Sequence, residues 1–171
     1  GETVTFHGQH FNIENVSISP KSPNVDGVKI LIACHWHSNI DSQFQRAAKL
    51  GDGYISISDS PDEYSDVTNR VRYHAEQLNI DFTKMERVFY MTINIGNDQQ
   101  SSSNEADLFL RKYYGINIWK NRWGPYGPPD IIIDRIREYS AAGAETLVIR
   151  FASFDQETQI KEFVETIVPK I

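Results

Sequence analysis

Cysteine is nearly absent from this chain: Cys34 is the only one in 171 residues. That excludes a disulfide framework and a cysteine-built zinc site. Basic charge is also scarce. There are 17 Lys and Arg against 23 Asp and Glu, a formal net charge of −6. A nucleic-acid or anionic-membrane surface needs a basic stripe, so neither partner is expected. No apolar run approaches the roughly 18 residues of a membrane span, and no secretory hydrophobic stretch opens the chain. Internal repeats and low-complexity tracts are lacking as well. A reducing cytoplasm is the compartment these absences imply.

What is present is ordinary in bulk and ordered in detail. The chain is 40% hydrophobic and 23% charged, the composition of a globular domain long enough to bury a core. Residues 3–19 alternate apolar and polar around His7-Gly8-Gln9, the pattern of a small β-hairpin. A loop with Pro20, Ser22, Pro23, Asn24 and Gly27 follows. Four runs then look like buried parallel strands: Val28–Cys34, Tyr54–Ile57, Val88–Ile95 and Leu147–Phe151. Each precedes a stretch with helical spacing. The expected organisation is a hairpin and connecting loop over 1–27, then four strand–helix units over 28–171. Four such units make half of a (β/α)8 TIM barrel, an α/β fold, and half a barrel has no closed core. Its apolar inner surface and two open strand edges imply self-association or a missing N-terminal half.

Helix signals support this division. Ile40, Phe44, Ala47 and Ala48 share one face of a helix expected to stop at Gly51 in a left-handed cap. Ser60-Pro61-Asp62-Glu63 predicts a capping box, with proline in the first turn. Tyr64, Val67, Val71, Ala75 and Leu78 then form one buried stripe. A helix with Ala106, Phe109, Leu110 and Tyr113 closes at Gly115, and one with Ile132, Ile133, Ile136 and Tyr139 ends at Gly143. Ile160, Phe163, Val164 and Ile167 predict the buried face of the last helix. The third strand is unusual, because Tyr90, Thr92 and Asn94 form a polar row where both faces of a parallel strand are normally apolar. That row suggests a face looking into a ligand space.

Several segments together resemble the C-terminal half of the bacterial-luciferase-like flavin-dependent monooxygenases. They are Val4-Thr5-Phe6-His7-Gly8-Gln9-His10-Phe11, Ala47-Ala48-Lys49-Leu50-Gly51-Asp52-Gly53, Tyr113-Tyr114-Gly115, Trp123-Gly124-Pro125-Tyr126-Gly127-Pro128-Pro129-Asp130, residues 141–151, and Val168-Pro169. Their order and spacing cover nearly the whole chain. The resemblance implies strands five to eight of a barrel that binds FMN, or a deazaflavin in some branches, at the strands' C-terminal ends. It implies part of a flavin-dependent oxidoreductase acting on a small-molecule substrate, with the remaining strands supplied elsewhere. A non-catalytic half-barrel serving as an assembly or flavin-binding module is the alternative. The chain departs from the pattern at Ala33-Cys34-His35-Trp36, where many members have Gly-Gly. Val88–Ile95 also lacks the arginine and histidine of the alkanesulfonate-oxidising branch.

On this reading Cys34, His35, Ser38, Asn39 and Ser42 surround the flavin phosphate. They run from a strand end to a helix start, where free N–H groups and the helix dipole favour an anion. Ser38 or Asn39 could instead simply cap the helix. His35 and His37 flank Trp36 without a carboxylate or cysteine at a recognised spacing, so no metal site is expected. Cys34 has the alternative of a small buried hydrophobe. Tyr90 and Thr92 either line the barrel beside the flavin ring or fill its packed interior. Arg150, near the last strand's end, makes an anion contact or a structural ion pair. Residues 116–129, with Trp119 and Trp123, form a mobile lid or a rigid aromatic loop.

Overall fold

A computed structural model describes residues 2–24, 27–118 and 122–171. The chain divides into two compact units, Gly1–Ile30 and Leu31–Ile171. Trp119 lies outside the described residues.

The first unit is the expected hairpin. β1 (Val4–His7) pairs antiparallel with β2 (Asn12–Val16), matching Phe6 to Ile13 and His7 to Asn12. Gly8 N–H closes the turn on the Phe11 carbonyl at 2.9 Å. A bulge separates this pairing from Val4 and Val16. It holds Asn15 at φ 53°, with its N–H on Thr5 Oγ1 at 3.1 Å. Asparagine tolerates that left-handed backbone better than most residues.

The second unit is built on a parallel sheet. β3 (Leu31–Ala33), β4 (Gly53–Ile57), β5 (Glu86–Ile95) and β7 (Thr146–Phe151) lie side by side in that order. A two-residue strand, β6 (Tyr126–Gly127), pairs with the end of β5. The helices are α1 (Asp41–Leu50), α2 (Pro61–Gln77), α3 (Gln99–Tyr114), α4 (Pro129–Ala141) and α5 (Gln156–Glu162). Among the described residues the sheet does not close on itself.

Strand alternation sorts side chains between two faces. Cys34, Tyr54, Phe89, Met91, Ile93 and Phe151 join Phe44, Val67, Val71, Ile132 and Ile136 from the helices in the main core. Phe89 stacks on Tyr139 with ring centres 3.8 Å apart, and Tyr64 meets Phe89 edge-on at 5.4 Å. The opposite face carries Leu31, Ile55, Val88, Tyr90, Thr92, Asn94, Val148 and Arg150. Over its C-terminal end lies a smaller cluster in which Ala106 and Leu110 of α3 meet Trp123, Ala152 and Ile57.

Several details depart from the sequence reading: Leu78, expected on the buried stripe of α2, is the exposed residue that follows the helix. The first buried strand is short: residues 28–30 are outside it, and Val28 and Ile30 are exposed. A strand extends only as far as its neighbour, and β4 begins opposite Leu31 at Gly53. Gly51 ends α1 at φ −98°, so it is not a left-handed cap. Its constraint is space, since a Cβ there would lie 2.9 Å from Ile32 Cγ1 and 2.7 Å from the Gly53 carbonyl. The last helix widens into a π-turn over Phe163–Ile167, which leaves Ile160 and Val164 exposed while Ile167 is buried. A π-turn adds a residue to the helical repeat, so the predicted stripe is broken.

The capping box forms as expected: Glu63 N–H donates to Ser60 Oγ at 3.3 Å and Ser60 N–H to Glu63 Oε2 at 2.7 Å. Replacing Ser60→Ala should cost about 1 kcal/mol, the usual worth of such a cap. Urea unfolding of the two proteins measures it, and an unchanged midpoint would show that the cap contributes nothing.

Candidate functional site

The predicted residues fall into two groups in the second unit. Cys34, His35, Ser38 and Asn39 lie between β3 and α1, and Ser42 lies in the first turn of α1. Tyr90, Thr92 and Arg150 meet on the sheet face turned away from the main core.

The first group is organised by a residue that the sequence reading misses. Buried Gln43 accepts the His35 N–H at 3.0 Å and donates to the His35 carbonyl at 2.9 Å and to Ser38 Oγ. Ser38 Oγ also donates to the His35 carbonyl at 2.9 Å. Asn39, at φ 43°, accepts from Arg70 Nη1 at 3.2 Å. Neither Ser38 nor Asn39 caps α1. The cap position is Ile40, which makes no side-chain hydrogen bond to the helix. Ser42 stands exposed in the first turn. Cys34 is wholly buried, and burial pushes its thiol up to about 12. Its N–H is bonded to the Ile55 carbonyl at 3.0 Å, so neither the thiol nor the amide is open to a ligand.

Asp59, just past β4, ties the first group to the helices beside it. Its carboxylate accepts the Trp36 N–H at 3.0 Å and the Ser56 hydroxyl, and its carbonyl accepts from Tyr139 at 2.6 Å. Arg122 lies 3.8 Å from Asp59 Oδ1 and pairs closely with Glu63. Burial works against the Glu63 charge, but the Ser60 N–H and Arg122 hold its carboxyl below the usual range. His37, Asp59 and Glu63 present ligand atoms within 4.8 Å of one another. Sequence spacing gives no hint of this set. Glu63 is committed to the α2 cap, and Arg122 already supplies a positive charge to both carboxylates.

In the second group Arg150 is enclosed by aromatic rings. Its guanidinium lies 4.0 Å from the Trp123 ring centre, 5.3 Å from those of Tyr90 and Tyr114, and 5.9 Å from that of Tyr113. It donates to Thr92 Oγ1 at 2.9 Å and to Tyr114 Oη at 2.5 Å. Thr92 and Arg150 are direct ladder partners, which fixes this contact. Tyr90 titrates above its ordinary range because it is partly buried. The polar row is only partly free for a ligand: Asn94 is spent on Glu105 at 3.1 Å and the Ala152 carbonyl at 2.9 Å.

With this geometry in view, the sequence profile of the luciferase-like monooxygenases matches residues 1–146. The chain belongs to the luciferase-like monooxygenase family. No curated protein matches it by sequence. Solved structures with the same fold include an F420-dependent secondary alcohol dehydrogenase bound to an F420–acetone adduct. It is 14% identical with a TM-score of 0.74, covering 98% of this chain and 56% of that one. The coenzyme F420-dependent tetrahydromethanopterin reductase of Methanopyrus kandleri is 14% identical with a TM-score of 0.70, covering 99% and 58%. A monooxygenase from Streptomyces bottropensis is 15% identical with a TM-score of 0.71, covering 99% and 56%. The chain thus spans a little over half the length of these family structures. Among its described residues, no helix is long and apolar enough to cross a membrane.

Glu105 of α3 ties the strand ends together, accepting from Ser153 at 2.5 Å, Asn94 at 3.1 Å and the Phe154 N–H at 3.2 Å. Burial alone would raise its carboxyl, but these three donors hold it below the usual range. A depressed carboxylate stabilises the fold fully above its unfolded value, about 4.5, and the contribution is lost as pH falls through the folded value. Glu105→Gln should therefore unfold at lower urea than the parent at neutral pH, with the gap shrinking below about pH 4.5. A gap that stays constant to strongly acid pH would show that these donors do not recognise the charge.

Proposed function

We propose that this chain is the C-terminal half of a (β/α)8 barrel, strands five to eight, in a flavin- or deazaflavin-dependent oxidoreductase. The open parallel sheet carries the reading. Four strands are each followed by a helix, and the face away from the main core exposes Val148 and leaves Leu31 and Ile55 half-buried. In a complete barrel that face is a packed interior, so it calls for further strands. The matched structures, about twice as long, are consistent with that. The complement is further polypeptide of the same protein or a second copy of this chain, because unpaired strand edges recruit other chains.

The cofactor phosphate sits at the start of α1. That helix has no side-chain cap; the Gln43 N–H is bonded to the Ile40 carbonyl at 3.1 Å, which leaves the Asp41 and Ser42 N–H groups and the dipole for an anion. Ser38, Asn39 and Ser42 surround that point, and Gln43 holds the loop, with His35, in place. The N–H groups of His35 and Trp36 are already bonded to Gln43 and Asp59, so they are not phosphate donors here. Tyr90, Thr92 and Arg150 flank the flavin ring. FMN is the first choice and a deazaflavin the alternative, which the F420-dependent relatives favour. Bound flavin supplies hydride transfer or oxygen activation. The chain's own residues position it and exclude water, Trp123 and Tyr114 forming the aromatic wall.

FMN and riboflavin differ only by the phosphate, so their affinities test the reading. FMN should bind the intact protein more tightly than riboflavin. Ser42→Asp, which adds a second carboxylate beside Asp41 at the α1 start, should weaken FMN roughly tenfold and leave riboflavin unchanged. Equal affinity for both flavins in the unmodified protein would remove the phosphate site, and binding of neither flavin nor deazaflavin would remove the function.

A further inference from the structure

The two ends of the Trp123 side chain point to a ligand group. Its ring lies against Arg150, while its Nε1–H is buried without an acceptor. Trp123 is only 7% exposed. Nε of Arg150, against which the ring lies, is a second buried donor without an acceptor; Nε of Arg122 is a third, but there the unpartnered Asp59 Oδ1 lies 3.8 Å from the guanidinium. Native interiors rarely leave donors unmatched, because each costs its full desolvation. Two on touching side chains, Trp123 and Arg150, mark a place that lacks an acceptor.

Charge makes the requirement sharper. Arg122 is neutralised by Glu63 and Asp59. Among the described residues Arg150 has only neutral partners, Thr92, Tyr114 and the Tyr90 hydroxyl, and it forms no ion pair. Its cation rests on ring faces, which attract it but offer no acceptor to its N–H edge. A cavity of about 10 Å³ adjoins this place, lined by Tyr90, Thr92, Trp123 and Gly124 together with core residues Phe89 and Met91, though not by Arg150 itself. That is room for about one oxygen-sized group.

We propose that Arg150 and Trp123 bind the carboxylate of a small organic acid substrate, with the aromatic rings holding its apolar body. One carboxylate oxygen enters the cavity, and the other meets the Arg150 edge. A guanidinium fork matches the planar, two-oxygen geometry of a carboxylate, and the bonds are charge-assisted on both sides. Thr92 and Tyr114 keep the fork from rotating, so little ordering is needed on binding. Tyr90, Tyr113, Tyr114 and Trp123 suit a flat or branched apolar body. The proposal rests on the reading of this face as the interior of a flavin enzyme, and it names the substrate class for that site.

The test is calorimetric titration of the intact protein with benzoate and with benzamide, which has the same shape without the charge. Benzoate should bind roughly tenfold or more tightly than benzamide, and Arg150→Gln should abolish that preference. Equal binding of the two compounds by the unmodified protein, or binding of neither, would overturn the proposal; an ordered water then fills the cavity. The benzoate–benzamide comparison needs no variant, so it decides the matter even where Arg150→Gln fails to fold. Titrating FMN in the same samples separates the two claims. Benzoate preference without FMN binding defeats the flavin reading alone, and FMN binding without benzoate preference defeats only the carboxylate site.

Discussion

The pairing of β5 on both edges is the constraint from which the rest of the second unit follows. Its first half runs beside β4, Val88 to Ile93 run beside β7, and Asn94 and Ile95 meet β6. The buried Gln159 amide accepts the Ile95 N–H and donates to the Ile95 carbonyl, both at 2.7 Å, and so closes the strand's far end. Side chains alternate along a strand, so a slip of one residue would exchange the two faces completely. The apolar row Phe89, Met91, Ile93 and Ile95 cannot leave the helices without large loss. By the same geometry Tyr90 and Thr92 are held on the other face, opposite Arg150. Core packing and the placement of the site are thus one choice of register.

Local signals in the sequence carry much of this. The capping box at Ser60, the left-handed Gly115 after α3 and the alternation of Val88–Ile95 each rest on neighbours within a few residues. The hairpin turn at Gly8 is equally local. What cannot be read is set by distant partners. The length of β3 depends on where β4 begins, and Gly51 is required by Ile32 and Gly53 rather than by its own backbone angle. The π-turn in the last helix leaves no mark in apolar spacing.

The site follows the same rule. Ser38, Asn39, Thr92 and Arg150 are visible as polar residues at strand ends or helix starts. Gln43 is hidden because glutamine on a helix reads as a solvated surface residue. Asp59 reads as a strand terminator, yet it joins Trp36, Arg122 and Tyr139 from three separate parts of the chain. Trp123 looks like one aromatic among several in a proline-rich stretch. Only the folded chain places it on Arg150, which turns a packing residue into the cover of a cation.

Glu63 serves two masters: it completes the start of α2 and anchors Arg122. The positive end of a helix dipole stabilises a carboxylate whether or not a cation is nearby. If Arg122 swings away, Glu63 does not become a stranded charge, because the helix already hosts it. For Glu63 itself, losing Arg122 is therefore energetically milder than the close ion pair suggests, whereas the buried Asp59 carboxylate would lose its nearby cation.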